Sequence, residues 1–93
     1  IYEMARILDA FRRELPEPNL TYNVGVIVGG TPAGIDADGF RVEASGKTNI
    51  VAETAVARGD LRTLTPEQDA RVRARMAEIV GQNLPRTTAE LVF

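Results

Sequence analysis

Two polar side chains at either end of an apolar segment are the residues of this chain best suited to bind a ligand. Asn49 stands in the stretch GKTNIVAE, and Arg62 closes the stretch ARGDLR, so that 62 − 49 = 13 positions separate an amide from a guanidinium. A guanidinium can hold a carboxylate through two parallel hydrogen bonds, and an amide can fix its orientation. The pair is therefore a candidate anion site.

A structural interpretation of the same two residues is also available. Asn49 could cap a turn, and Arg62 could pair with Asp60, which lies two positions away on the same face of a strand. Exposed Arg and Asn residues are mostly structural, and composition alone favours this interpretation.

The chain has few other residues that could carry out chemistry. It contains no His and no Cys, so the usual general base and the preferred zinc ligands are missing. Ser45 is the single serine and has no His partner, which argues against nucleophilic catalysis. We expect this chain to hold no metal or cofactor and to be inactive alone.

Three short motifs are better explained by structure than by function. The SGKT segment at Ser45 lacks the upstream glycine of a phosphate-binding loop, because position 41 is Arg, and a strand is predicted to follow it. The DADG segment at Asp36 has its acidic residues out of register for a calcium loop and predicts a solvated turn. The RGD tripeptide at Arg58 falls inside a predicted strand, so we interpret it as a chance match.

Length and charge limit the class of protein. Ninety-three residues with 44% hydrophobic content fit one domain, residues 1–93. The net charge of −2 argues against a nucleic-acid partner, which requires a basic face. The longest apolar run, near Val24 to Val28, is far short of the about 20 residues of a membrane span, so no membrane partner is expected. The compartment is not indicated.

Hydrophobic periodicity predicts two helices and three strands. Apolar residues recur every three or four positions between Ile1 and Leu15, and again after Thr65, a predicted N-cap followed by Pro66. Alternating patterns predict the strands. The predicted strands are Leu20 to Val28, Ile50 to Leu61 and Thr87 to Phe93, and Phe40, Val42 and Ala44 predict a short ribbon within the long connection from Thr31 to Thr48.

The order α-β-β-α-β predicts an α+β fold with both helices on one face of an antiparallel sheet. One further strand before Ile1 would complete the ferredoxin-like β-α-β-β-α-β unit. We therefore expect a ferredoxin-like domain whose first strand is missing, excised from a larger protein.

Three segments of the sequence resemble a known family. They are NVGVI with Gly29 and Gly30, then TNIV with Asn49, then GDLR with Arg62. Together they are similar to the dimerisation (lid) domain of the zinc-dependent exopeptidases and aminoacylases, which include glutamate carboxypeptidase, succinyl-diaminopimelate desuccinylase and acetylornithine deacetylase. The similarity extends from the first helix through the last strand. Ala52 departs from the family pattern, in which Pro is usual.

The resemblance implies a role within a larger hydrolase. Zinc would lie in an absent catalytic domain that cleaves peptide or N-acyl amino-acid bonds, and Asn49 and Arg62 would hold the substrate carboxylate. A homodimer would form through the edge strand from Thr21 to Val28. The alternative is a free-standing ferredoxin-like regulatory or small-molecule-binding domain, which the full open reading frame would distinguish.

Overall fold

The computed structural model describes residues 1–39 and 41–93, and it has the predicted α+β, ferredoxin-like class. Its elements, in chain order, are α1 (Tyr2–Glu14), β1 (Thr21–Gly30), β2 (Ala33–Ile35), β3 (Val42–Ala44), β4 (Thr54–Arg62) and α2 (Pro66–Gly81). Two compact units divide the chain. The sheet unit comprises Ile1 and Tyr22–Asp60, and the helix unit comprises Tyr2–Thr21 and Leu61–Phe93.

The sheet unit contains two antiparallel two-stranded sheets, where a single sheet was predicted. β1 pairs with β4, and β2 pairs with β3 in a hairpin that places Ala33 opposite Ala44 and Ile35 opposite Val42. The predicted ribbon is thus confirmed, although Phe40 lies outside the described residues. The hairpin forms its own sheet because its strands find their hydrogen-bonding partners within the connection itself.

The two long strands have boundaries shifted from the predicted ones. β1 runs on to Gly30, two residues beyond the predicted end at Val28. β4 begins at Thr54, because the chain is still in a turn at Lys47–Ile50, where the Ile50 amide donates to the Lys47 carbonyl at 3.2 Å. The predicted start at Ile50 was therefore too early.

The helix unit holds the described apolar core. The buried apolar side chains come from α1, its C-terminal neighbour and α2, and they are Ile7, Ala10, Phe11, Leu15, Val72, Ile79 and Val80. α1 stops at the predicted place, since Pro16 cannot continue it and the Leu15 amide makes its last helical bond to Phe11. α2 buries the stripe that the periodicity predicted. For α1 the prediction holds only in part, because Phe11 and Leu15 are buried but Ile1 is 62% exposed.

α2 begins at its predicted cap. The Thr65 hydroxyl accepts a hydrogen bond from the Gln68 amide at 3.1 Å, and Pro66 occupies the first helical position. Gln68 returns a bond through its side-chain oxygen, which accepts from the Leu64 amide at 2.7 Å. The first of these bonds satisfies a backbone donor that the first turn of a helix leaves unpaired, and the second fixes the residue before the cap.

The predicted last strand, from Thr87 to Phe93, is wrong. No strand is assigned to these residues in the described part of the chain. A turn precedes them, with the Thr87 amide donating to the Leu84 carbonyl at 3.1 Å. At the far end, the Arg73 guanidinium of α2 lies 4.5 Å from the centre of the Phe93 ring. The segment's side chains thus engage the helix unit, and its alternating pattern does not produce a strand.

Candidate functional site

Asn49 lies in an exposed turn of the sheet unit, between the hairpin and β4. The turn spans Lys47–Ile50 and is closed by the backbone bond between these two residues. A turn directly follows Lys47, where a phosphate-binding loop requires a helix, so the SGKT segment lacks the structural context of such a loop. The amide of Asn49 is therefore carried by a surface turn that is open to a ligand.

Thr31, the residue directly after β1, forms hydrogen bonds with residues on both sides of the Asn49 turn. The Thr31 amide donates to the Ser45 carbonyl at 2.7 Å, and the Ser45 amide donates to Pro32 at 3.0 Å. The Thr31 hydroxyl accepts from the Glu53 amide at 2.9 Å and donates to the Val51 carbonyl at 3.4 Å. In the sequence, Thr31 marks only the start of the long connection, and nothing in the sequence indicates these contacts, which span up to 22 positions.

Arg62 is the last residue of β4 and is exposed. Alternation along the strand places Arg58, Asp60 and Arg62 on one face. The RGD tripeptide lies within β4, as predicted. Asn49 and Arg62 belong to different units, and the whole of β4 separates them in the chain. Their convergence on one carboxylate stays a prediction.

The DADG segment forms the solvated turn that was predicted. The Asp36 carboxylate accepts from the Gly39 amide at 2.9 Å and from the Arg41 amide at 3.4 Å. Gly39 has a φ of 77°, a conformation that favours glycine. A side chain at Gly39 would also collide with the Arg58 guanidinium. The aspartate therefore serves the turn of the hairpin.

The residues of this chain do not fit a zinc site. His and Cys are absent from the sequence, and the described residues contain no group of three acidic side chains that could hold a metal ion. Within the described residues, α1 and α2, with 13 and 16 residues, do not have the length and apolar character of a membrane-spanning helix.

Glu3 is a buried carboxylate for which the sequence carries no functional motif. It accepts hydrogen bonds from the Leu84 amide and the Thr87 hydroxyl, both at 2.6 Å, and it pairs with Arg6. Burial raises the pKa of Glu3, but these donors outweigh it, so the pKa lies below its ordinary value. Arg6 also donates to the Ile79 carbonyl at 2.9 Å, which joins α1 to α2.

A surface hollow of about 200 Å³ lies beside the start of α2 in the helix unit. Gln68 at its floor donates to the Pro18 carbonyl and to Glu17, both at 3.0 Å. Arg71 pairs with the same Glu17 carboxylate at 2.7 Å. The bonds from Gln68 and Arg71 lower the pKa of Glu17. Because these polar groups satisfy one another, the hollow is structural.

Comparison with known proteins assigns the family. The family model described as "Peptidase dimerisation domain" matches residues 1–88. The chain belongs to this family. No significant match is found among curated proteins or among solved structures. The match confirms the resemblance found in the sequence, and it covers the Asn49 turn, β4 and both helices.

Membership sets the coarse function. A peptidase dimerisation domain is part of a peptidase-family protein, and its family role is self-association. Asn49 and Arg62 are exposed polar residues within the matched region.

Proposed function

We propose that this chain is the dimerisation and substrate-carboxylate-binding domain of a zinc-dependent hydrolase that cleaves peptide or N-acyl amino-acid bonds. The observation that carries the proposal is the family match over residues 1–88. The zinc and the groups that activate water belong, in this proposal, to a separate catalytic domain, because this chain offers no zinc ligand set. The role of this chain, in this proposal, is to bind and orient the substrate.

Arg62 supplies the charge that a carboxylate needs. Its guanidinium offers two parallel donors, and charge-assisted bonds of this kind are about twice as strong as neutral ones. Its place at the end of β4 favours the role, since a strand holds its side chains more precisely than a loop does.

Asn49 is proposed to orient the substrate through hydrogen bonds of its uncharged amide. Its side-chain amide can donate to an oxygen of the substrate carboxylate and so fix the orientation of that group. Its exposure in the Lys47–Ile50 turn supports a role in contacting a molecule outside this chain.

Self-association is proposed through β1, which would form a homodimer. β1 presents apolar side chains that are exposed in the single chain, notably Val24 at 40% and Ile27 at 53%. In the described residues β4 is the one strand hydrogen-bonded to β1, so the other edge of β1 is available for pairing with a second copy.

The test compares two substrates of the full-length protein, an N-acyl amino acid and its α-amide. Arg62→Ala is expected to lower kcat/KM for the free acid about 30- to 160-fold, which corresponds to a loss of about 2–3 kcal/mol in transition-state stabilisation, as for a lost charge-assisted bond. For the α-amide substrate, kcat/KM is expected to fall little. Arg58→Ala, on the same face of β4, is the matched control and should affect neither substrate. Equal losses on both substrates would show that Arg62 is structural and would contradict the proposal.

A further inference from the structure

The two ends of the segment that carries Asn49 are held together by hydrogen bonds to one residue outside it, Thr31. Residues 46–52 lie between Ser45 and Glu53, and both of these residues bond to Thr31. The Thr31 amide holds the Ser45 carbonyl, and the Thr31 hydroxyl holds the Glu53 amide. All of these residues lie in the sheet unit, so the closure is a property of one compact body.

The backbone of Gly30 makes this closure possible. A Cβ atom at Gly30 would lie 2.5 Å from the Ser45 carbonyl oxygen, closer than real contacts of this kind. Absence of a side chain therefore allows the returning strand to approach Thr31. Gly30 is also buried at the end of β1, which fixes the position from which Thr31 reaches across.

Closure of both ends restricts the conformations of the Asn49 turn. Seven residues between two fixed points, with a further bond from Ile50 to Lys47 inside them, have far fewer arrangements than a free surface loop. A group that is already ordered before its ligand arrives loses less conformational entropy on binding. The closure thus favours ligand binding by the Asn49 amide.

We propose that Thr31 is a positioning residue for Asn49, acting through the Glu53 amide and the Val51 carbonyl, and so contributes to recognition of the substrate carboxylate. This inference rests on the proposed function of Asn49. The Thr31 hydroxyl touches no substrate in this proposal. It acts on binding and takes no part in bond cleavage.

A merely structural role for Thr31 makes a different prediction. If its hydroxyl only supported the hairpin, removing it would lower stability and affect all substrates alike. If it positions Asn49, its removal affects the free acid selectively. The comparison of a carboxylate substrate with its amide distinguishes the two.

The experiment uses the full-length protein with Thr31→Val, which keeps the shape and removes the hydroxyl. Thr31→Ser restores the hydroxyl, and Thr54→Val makes the same change at an exposed position nearby. The substrates are the best-cleaved N-acetyl amino acid of a panel and its α-amide. We expect Thr31→Val to raise KM for the acid about tenfold, as for a displaced polar group, and to leave KM for the amide and kcat for both substrates unchanged.

Hydrogen exchange of the Glu53 amide provides a second measurement that does not depend on activity. Thr31→Val should speed its exchange, and Thr31→Ser and Thr54→Val should not. Unchanged exchange, or equal losses on acid and amide, would overturn the proposal.

Asn49→Ala separates this inference from the proposed function. If Asn49→Ala removes the preference for the acid but Thr31→Val does not, the positioning role alone is wrong. If Asn49→Ala leaves the preference intact, the proposed binding role of Asn49 is wrong, and the positioning role is rejected with it.

Discussion

A charged side chain in the core of the helix unit is held by donors from two parts of the chain. Glu3 accepts from Thr87 and Leu84, more than 80 positions away, and pairs with Arg6 three positions away. A buried carboxylate is costly unless its oxygens are paired, and these donors pair them. Glu3 therefore fastens the segment after α2 to α1.

Glu3→Gln should destabilise the protein at neutral pH. Glutamine keeps the size and one acceptor but loses the charge that Arg6 and the other donors need, so we expect a loss of about 1–3 kcal/mol in the free energy of unfolding. Urea unfolding at pH 7 measures this loss. Glu90→Gln, at an exposed position near the end of the chain, is the control and should change little.

Low pH should reduce the difference in the free energy of unfolding between wild type and Glu3→Gln. The pKa of Glu3 lies below its ordinary value of 4.5 in the folded state, so the unfolded chain binds the proton first as pH falls. The stabilisation by Glu3 is complete above pH 4.5 and is lost as pH falls through the folded pKa. Urea unfolding repeated at stepwise lower pH should show the two proteins converging, and a constant difference would contradict this.

Contacts between residues close in the chain, such as the cap at Thr65, were predictable from the sequence, and contacts across the fold were not. Asn49 and Arg62 were singled out by residue type and spacing; the structure places both at the surface, and their binding role stays a prediction. Thr31 and Glu3 were not identified because the hydrogen bonds of the Thr31 hydroxyl, and those that Glu3 accepts from Leu84 and Thr87, span 20 or more positions. A threonine or a glutamate has no sequence signal that names a distant partner.

At the scale of helices and strands, the same distinction between local and long-range contacts explains which elements were predicted. Both helices were predicted because helical periodicity and caps depend on neighbours a few residues away. The last strand was wrong because a strand requires a partner strand, and the bonds of Thr87 to Glu3 and Leu84 direct this segment elsewhere. The hairpin of β2 and β3 was predicted from alternation, but its separation into a second sheet was not.

Gly30, at the end of β1, and Gly34, in β2, should respond differently to the same substitution. Gly30→Ala would drive its Cβ into the Ser45 carbonyl, so we expect a loss of at least about 2 kcal/mol, typical of overpacking against backbone. Gly34→Ala, in β2, meets nothing within 4 Å and should be within about 0.5 kcal/mol of wild type or slightly stabilising. Thermal unfolding of both variants tests this, and equal effects would contradict the close approach at Gly30.

The start of α2 offers a test of local capping. Thr65→Ala removes the oxygen that accepts from the Gln68 amide and should cost about 1 kcal/mol. Thr65→Ser keeps that oxygen and should recover most of the loss. If serine and alanine destabilise equally in urea unfolding, the hydroxyl bond does not contribute and the cap is not stabilising.

At the scale of the whole molecule, the chain should form a dimer whose stability depends on β1. Ile27 is 53% exposed in the single chain, and a second copy paired along β1 would cover apolar side chains of this strand. Ile27→Lys places a charge on that strand and should shift sedimentation toward monomer. Val51→Lys is the matched control, because it adds the same charge at a 90% exposed apolar residue outside the strands. We expect Val51→Lys to sediment like wild type, because Val51 lies outside β1. Both variants change the net charge equally, so a difference between them cannot come from overall charge. If the two variants shift the equilibrium equally, overall charge explains the effect. If neither shifts it, the dimer forms through another surface.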